Sequence, residues 1–111
     1  MDLINHVHSI LSPLNIPVLW QLRPKNPPCI SYHFFNEQGI LYGDGEELTG
    51  SISCQVDIWS RNNFTDIKKQ VKSAMKSAGF LFSHADENFE EDVKLHHCFL
   101  VFNFYYRESE E

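Results

Sequence analysis

The segment Glu87–Cys98 reads ENFEEDVKLHHC: four carboxylates, then two adjacent histidines, then a cysteine. Carboxylate, imidazole and thiol are the groups that bind metals and move protons, so this stretch is the first place to look for chemistry. On a strand, neighbouring side chains point to opposite faces, so His96 and His97 cannot clamp one ion together without a bulge. His96 and Cys98 share a face and form an H-x-C pair that could reach a metal, but zinc would need further ligands. Glu90, Glu91 and Asp92 are the nearest recruits, although on a turn they read more simply as a solvated hairpin tip. The expected outcome is no metal and no cofactor, with the acids in water, the histidines split across a sheet and Cys98 in the core.

The other candidate chemistry is thinner. Cys29, Cys54 and Cys98 are odd in number, far apart and set in apolar alternation, which predicts buried core thiols rather than disulfides or nucleophiles. A reactive cysteine needs a nearby base and an electropositive, partly exposed setting. YGDGEE contains G-x-G, but no helix follows it and no lysine stands where a phosphate loop needs one. Asp44, Glu46 and Glu47 in that stretch read as a flexible solvated loop before they read as calcium ligands. No catalytic residue is assigned, and the chain is expected not to be an enzyme.

The elements that would carry these residues follow from periodicity. Leu3, Ile4, Val7, Ile10, Leu11 and Leu14 recur at helical spacing, with Pro13 near the end of the pattern. IPVLWQL sets Ile16, Val18, Trp20 and Leu22 on one face of a strand that a proline-rich turn stops. In CISYHFFNEQ, Ile30, Tyr32 and Phe34 oppose Ser31, His33 and Phe35. GILYGDGEELTG is glycine-rich and acidic, which predicts a long mobile loop or a hairpin arm reaching outward. In SISCQVDIWS, Ile52, Cys54, Val56 and Ile58 face the core, while Asp57 and Trp59 are on the outward side; Trp59 could equally pack under the second helix.

That second helix follows in RNNFTDIKKQVKSAMKSAG, with Asn63 or Thr65 as its cap and Gly79 as its left-handed terminator. Phe64, Ile67, Val71, Ala74, Met75 and Ala78 form its buried stripe. Two extended segments, FLFSHADENFEED and VKLHHCFLVFNFYYRE, complete the chain. The last is apolar on both faces, as a central or partner-covered strand is. The predicted class is α+β in the order α-β-β-β-α-β-β, two amphipathic helices on a largely antiparallel sheet. One domain covers 1–111, and the acidic tail 107–111 is expected to fray.

At 111 residues the chain suits one modest core. Its net charge of −6 argues against a general affinity for nucleic acid, because phosphate binding runs on Lys and Arg displacing counterions. No run reaches the length of a membrane span, and the N-terminus lacks the basic flank and apolar run of a signal peptide, so folding in a reducing cytosol is expected. Against this acidic background Lys68, Lys72 and Lys76 repeat every four residues, and Lys69 adds to the same outer face of the second helix. This reads either as a solvated face or as a patch that docks on the acidic loops of a neighbouring copy. Opposite patches on one molecule permit head-to-tail association, which closes into rings when the rotation allows. The many strand aromatics are more than one core this size covers easily, so a minority are expected to meet a partner.

Taken in order, the N-terminal amphipathic helix, the strand with RPKNPPCISYHFF, the segment SCQVDIWSRNNFTDIKKQVKSAMKSAGF and the final NFEEDVKLHHCFLVFNF resemble the tail terminator, or tail completion, proteins of long-tailed bacteriophages and prophages. QVDIWSRNN, a capped helix and AGF are the most telling part. The resemblance spans nearly the whole chain and rests on no invariant catalytic signature. It implies an α+β subunit of a ring, commonly a hexamer, on the head-proximal end of the tail tube in the virion neck, assembled in the bacterial cytoplasm. Such a ring stops polymerisation of the major tail tube protein and presents a surface to the head connector, while genome DNA passes through its channel. An acidic wall would let phosphates slide. The implied function lies in interfaces, so Asp44, Glu46, Glu47, Lys68, Lys72 and Lys76 are expected as subunit or tail contacts, with Asp57 and Trp59 secondary. Two other readings stand beside it: another neck component such as a head-closure protein, and a small metal-binding protein using His96 and Cys98.

Overall fold

The computed structural model describes residues 2–43 and 46–107. The Asp2 carboxylate accepts the Asn5 backbone N–H at 3.2 Å and starts α1 (Leu3–Leu11), giving an otherwise orphaned helix donor its partner. Pro13 lies in the short 3-10 turn Ser12–Leu14, and Asn15, at φ 60°, ends it. The remaining elements are β1 (Val18–Trp20), β2 (Cys29–Gly43), β3 (Glu46–Ser60), α2 (Thr65–Ser77), β4 (Leu81–Glu90) and β5 (Leu95–Arg107). This is the α+β order that the residue patterning predicts.

The ends of α2 are set by short-range chemistry. Asn63 Oδ1 accepts the Thr65 N–H at 2.7 Å. Gly79 takes φ +97°, which allows its N–H to reach the Lys76 carbonyl and the Phe80 N–H to reach the Met75 carbonyl, both at 3.0 Å. These two bonds make a Schellman termination, and its apolar partners Met75 and Phe80 are both buried in the core.

The strands form one sheet in the order β1-β2-β3-β5-β4. Every pairing is antiparallel except β1 with β2, which is parallel. One strand expectation needs correction. The strand expected over Ile16–Leu22 is only Val18–Trp20, because Gln21 turns to φ 64°. Of the two alternatives for GILYGDGEELTG, the chain takes the hairpin arm: β2 and β3 pair from Cys29 with Trp59 out to Gly43 with Glu46, with bulges beyond Phe35. Fifteen-residue strands rising about 3.4 Å per residue run about 50 Å, which accounts for the molecule's 53 Å long axis.

Both helices lie on one face of the sheet. Registered rows Ile30–Ile58–Cys98, Tyr32–Val56–Leu100 and Phe34–Cys54–Phe102 point into that face and pack with Val7 and Leu11 of α1 and Val71 and Met75 of α2. The Tyr32 hydroxyl donates to the Ile4 carbonyl at 2.6 Å, tying α1 to β2. Burying aliphatic and aromatic side chains of this size contributes about 1.5–3 kcal/mol each, so these rows hold the two helices in place.

Farther along the hairpin, Gly50 pairs with Tyr106 across β3 and β5. The Tyr106 ring lies over the bare glycine, and its hydroxyl donates to Glu37 Oε2 on β2 at 2.6 Å. A Cβ at position 50 would fall 2.6 Å from that ring. Gly50→Ala is therefore expected to push the ring aside, weaken the bond to Glu37 and destabilise the fold by about 1 kcal/mol. A shift of the urea midpoint with an unchanged m-value would show it; an unmoved midpoint would contradict it.

Candidate functional site

β3 has a second face. Ser53, Gln55, Asp57 and Trp59 point away from the helices and align with Ser31, His33 and Phe35 of β2 and with His97, Phe99, Val101 and Asn103 of β5. Asp57 is only 6% exposed although no helix lies over it. Its Oδ1 accepts from His97 Nε2 at 2.8 Å and from Gln55 Nε2 at 3.0 Å, while His33 Nδ1 stands 3.9 Å from its Oδ2. A buried carboxylate is tolerated when donors surround it in this way. Because an ionised carboxylate only accepts, His97 is the donor, and its proton sits on Nε2.

The histidine is held from its flat side as well. The Trp59 and His97 rings stack at 4.8 Å with planes 5° apart, and the Arg23 guanidinium lies 5.7 Å from the Trp59 ring centre. Arg23, Trp59, His97, Asp57, Gln55 and His33 thus form one continuous polar and aromatic network across β2, β3 and β5. At Asp57 the two imidazoles address different carboxylate oxygens. Among the described residues no three His, Cys, Asp or Glu side chains converge to hold a metal ion. The arrangement locks side chains in place and presents a fixed pattern of charge and ring surface.

The opening segment is laid out as its alternation predicts. His96 turns to the helix side, where it meets the rings of Phe89 at 4.8 Å and Phe64 at 6.0 Å, while His97 turns to the other face. Cys98 is buried in the core. Glu90 ends β4, and Glu91 and Asp92 lie in the turn that follows.

The expected interface residues are scattered. Asp57 and Trp59 belong to the network, and Trp59 is on the helix-free face rather than under α2. Lys68 and Lys72 require correction, since they do not form a free outer stripe. Lys68 Nζ bonds Glu87 Oε2 at 3.2 Å, and Lys72 Nζ sits 4.0 Å above the Phe82 ring, so both bridge α2 to β4. A residue on the flank of a short helix packed on a sheet reaches the sheet edge as readily as it reaches solvent. Lys69 and Lys76 remain exposed. Glu46 and Glu47 pair in register with Gly43 and Tyr42 at the start of β3, and Asp44 lies outside the described residues.

His33, Gln55 and Arg23 are the members that the sequence did not flag. The alternation of β2 puts His33 on the same face as Ser31, but its nearness to Asp57 depends on strand register, which no local signal carries.

Burial governs the thiols. It pushes the Cys54 thiol up to about 12, with the Asp57 charge adding to it, and the Cys98 thiol up to about 11. Burial likewise raises Cys29, which Arg23 partly offsets.

Two outcomes are expected. Asp57→Ala strands the donors of His97 and Gln55 and should destabilise the fold by about 1–3 kcal/mol, with Asp57→Asn milder because an amide oxygen still accepts; equal midpoints for wild type and Asp57→Ala would sink this account. For the thiols, the folded state ionises later than the unfolded state. Their contribution to stability is whole below pH 9.0 and declines as pH rises from there toward 11 and 12, because the unfolded chain gives up protons first. Denaturation midpoints taken across that window should fall, and a maleimide should label native Cys54 and Cys98 only at the rate of unfolding. This chain matches no protein-family model, and no curated protein matches it either.

Proposed function

We propose that this chain is a structural assembly subunit of the tail terminator, or tail completion, type. It would form a ring, in the hexameric form common to that type, at the head-proximal end of a phage tail tube, where it ends polymerisation of the tube protein and joins tail to head. The segments that resemble that family correspond in the fold to α1, β2, the β3–α2 unit and β5, and the α+β class is the one the resemblance implies. The reading places the protein in the virion neck, with DNA crossing the channel in transit and no membrane involved.

The observation that carries the reading is that the sheet is unfinished. β4 pairs on one side only, and β2 has a neighbour on its outer side only where β1 covers Ile30–Tyr32, among the described residues. Exposed edges with unpaired N–H and C=O groups invite pairing with another chain, and proteins that stay monomeric usually blunt them. Here the β4 edge carries exposed Leu81 and Phe89, and the β2 side carries exposed Phe35 and Ile40. Two different open edges on one subunit suit heterologous, ring-forming contact.

Native mass spectrometry over a range of concentrations tests the reading. A closed, metal-free ring is expected, with a hexamer the leading stoichiometry. A chain that stays monomeric at every concentration, or one that retains a stoichiometric zinc, would overturn it.

A further inference from the structure

The two ends of the sheet's width differ in charge. No Asp or Glu occurs between Leu3 and Asn36, a stretch that contains Arg23 and Lys25. Both cations are exposed and lie in the segment joining β1 to β2, beside the first paired row, Cys29 with Trp59. At the other edge, Glu90 ends β4 and Glu91 and Asp92 begin the turn into β5. Lys94 and the Arg61 bond to the Val93 carbonyl at 3.1 Å moderate this acidic corner without cancelling it, since Asp86 stands behind it on β4, where Glu87 is paired with Lys68.

Register shows that the corners are level with one another. Cys29 aligns through Trp59 and His97 with Asn88, so the start of β2, into which the basic segment leads, and the acidic turn lie at the same end of the strands on opposite sides of β3 and β5, with Arg23 itself reaching inward over Trp59. Each corner also presents matching apolar surface: Leu22 is 67% exposed on the basic side, and Val93 and Phe89 are 48% and 47% exposed on the acidic side. Apolar side chains flanked by opposite charges are what an interface with a small core and a polar rim requires.

We infer that a second copy of this chain docks here, its Glu90–Val93 corner seated against the Leu22–Lys25 corner of its neighbour. This rests on the ring reading above and specifies the contact within it. Rotation about an axis along the strands keeps the two corners level, so the same contact repeats from copy to copy. The same rotation sets β4 of one copy antiparallel to β2 of the next, because β2 and β5 run one way and β3 and β4 the other. Like corners facing each other would oppose equal charges, which disfavours a two-fold dimer through this surface.

Cross-linking with a short bismaleimide decides it, since the three native cysteines are buried. The double variant Leu22→Cys with Val93→Cys is expected to give a covalent ladder ending at the ring's full number of subunits, and each single variant is expected to give monomer only. Lys25→Glu should lower the oligomeric fraction several-fold, Asp92→Lys should do the same, and mixing the two variants should restore a mixed oligomer. A ring that forms in the wild type but shows neither the ladder nor any response to charge reversal would overturn this surface and leave the ring reading standing. A wild-type chain that is monomeric at every concentration and gives no cross-link would overturn both. Dimers cross-linked from either single variant would show a two-fold contact and overturn the head-to-tail arrangement.

Discussion

β3 is the strand on which the rest of the molecule depends, because it is central to the sheet and only one side of the sheet has helices. Its alternation has to serve two environments within one segment. Cys54, Val56 and Ile58 meet the helices, with Ile52 buried on the same face, and Ser53, Gln55, Asp57 and Trp59 meet whatever lies opposite. A slip of one residue in register would exchange the two sets, placing Asp57 in the apolar layer and Ile58 outside it. The hydrophobic effect thus sets the pairing of β3 with β2 and β5, and that pairing brings the Asp57 network together as a consequence.

On the face without helices, order comes from polar satisfaction instead of apolar burial. Asp57 is enclosed by neighbouring side chains and held by His97 and Gln55, while Ser53 donates to Asn103 at 2.8 Å. Such networks hold side chains in a single arrangement when every member has a partner. An assembly subunit benefits from this, since a surface ordered before contact loses less side-chain freedom on binding. The Trp59–His97 stack and Arg23 extend the same order toward the β1 edge.

Charge is distributed by edge. The lysines of α2 illustrate the point: Lys68 and Lys72 are drawn to Glu87 and Phe82 of β4, so the periodic stripe is partly an internal strap between helix and edge strand. Its exposed remainder, Lys69 and Lys76, is a smaller feature than the spacing of lysines suggests. The contrast between the stretch from Leu3 to Asn36, which lacks carboxylate side chains, and the acidic β4 edge is larger. It becomes a pair of opposed corners only once the sheet order sets β1 and β4 at the two margins.

What the sequence determined by itself is what repeats locally. Helical spacing located α1 and α2, the cap candidates Asn63 and Thr65 together with Gly79 bracketed α2, and alternation split His96 from His97 and sent Cys98 inward. These are properties of a few neighbouring residues, set by helix and strand periods and by backbone preferences. Only the tertiary structure decided which strands adjoin, that β1 stops at Trp20 and runs parallel to β2, and that the Gly-rich stretch continues the hairpin. Only it could bring His33, Asp57 and His97 together from three strands. Those outcomes depend on pairing between segments far apart in the chain, where the free energy comes from burying whole faces of side chains together and no single segment carries the signal.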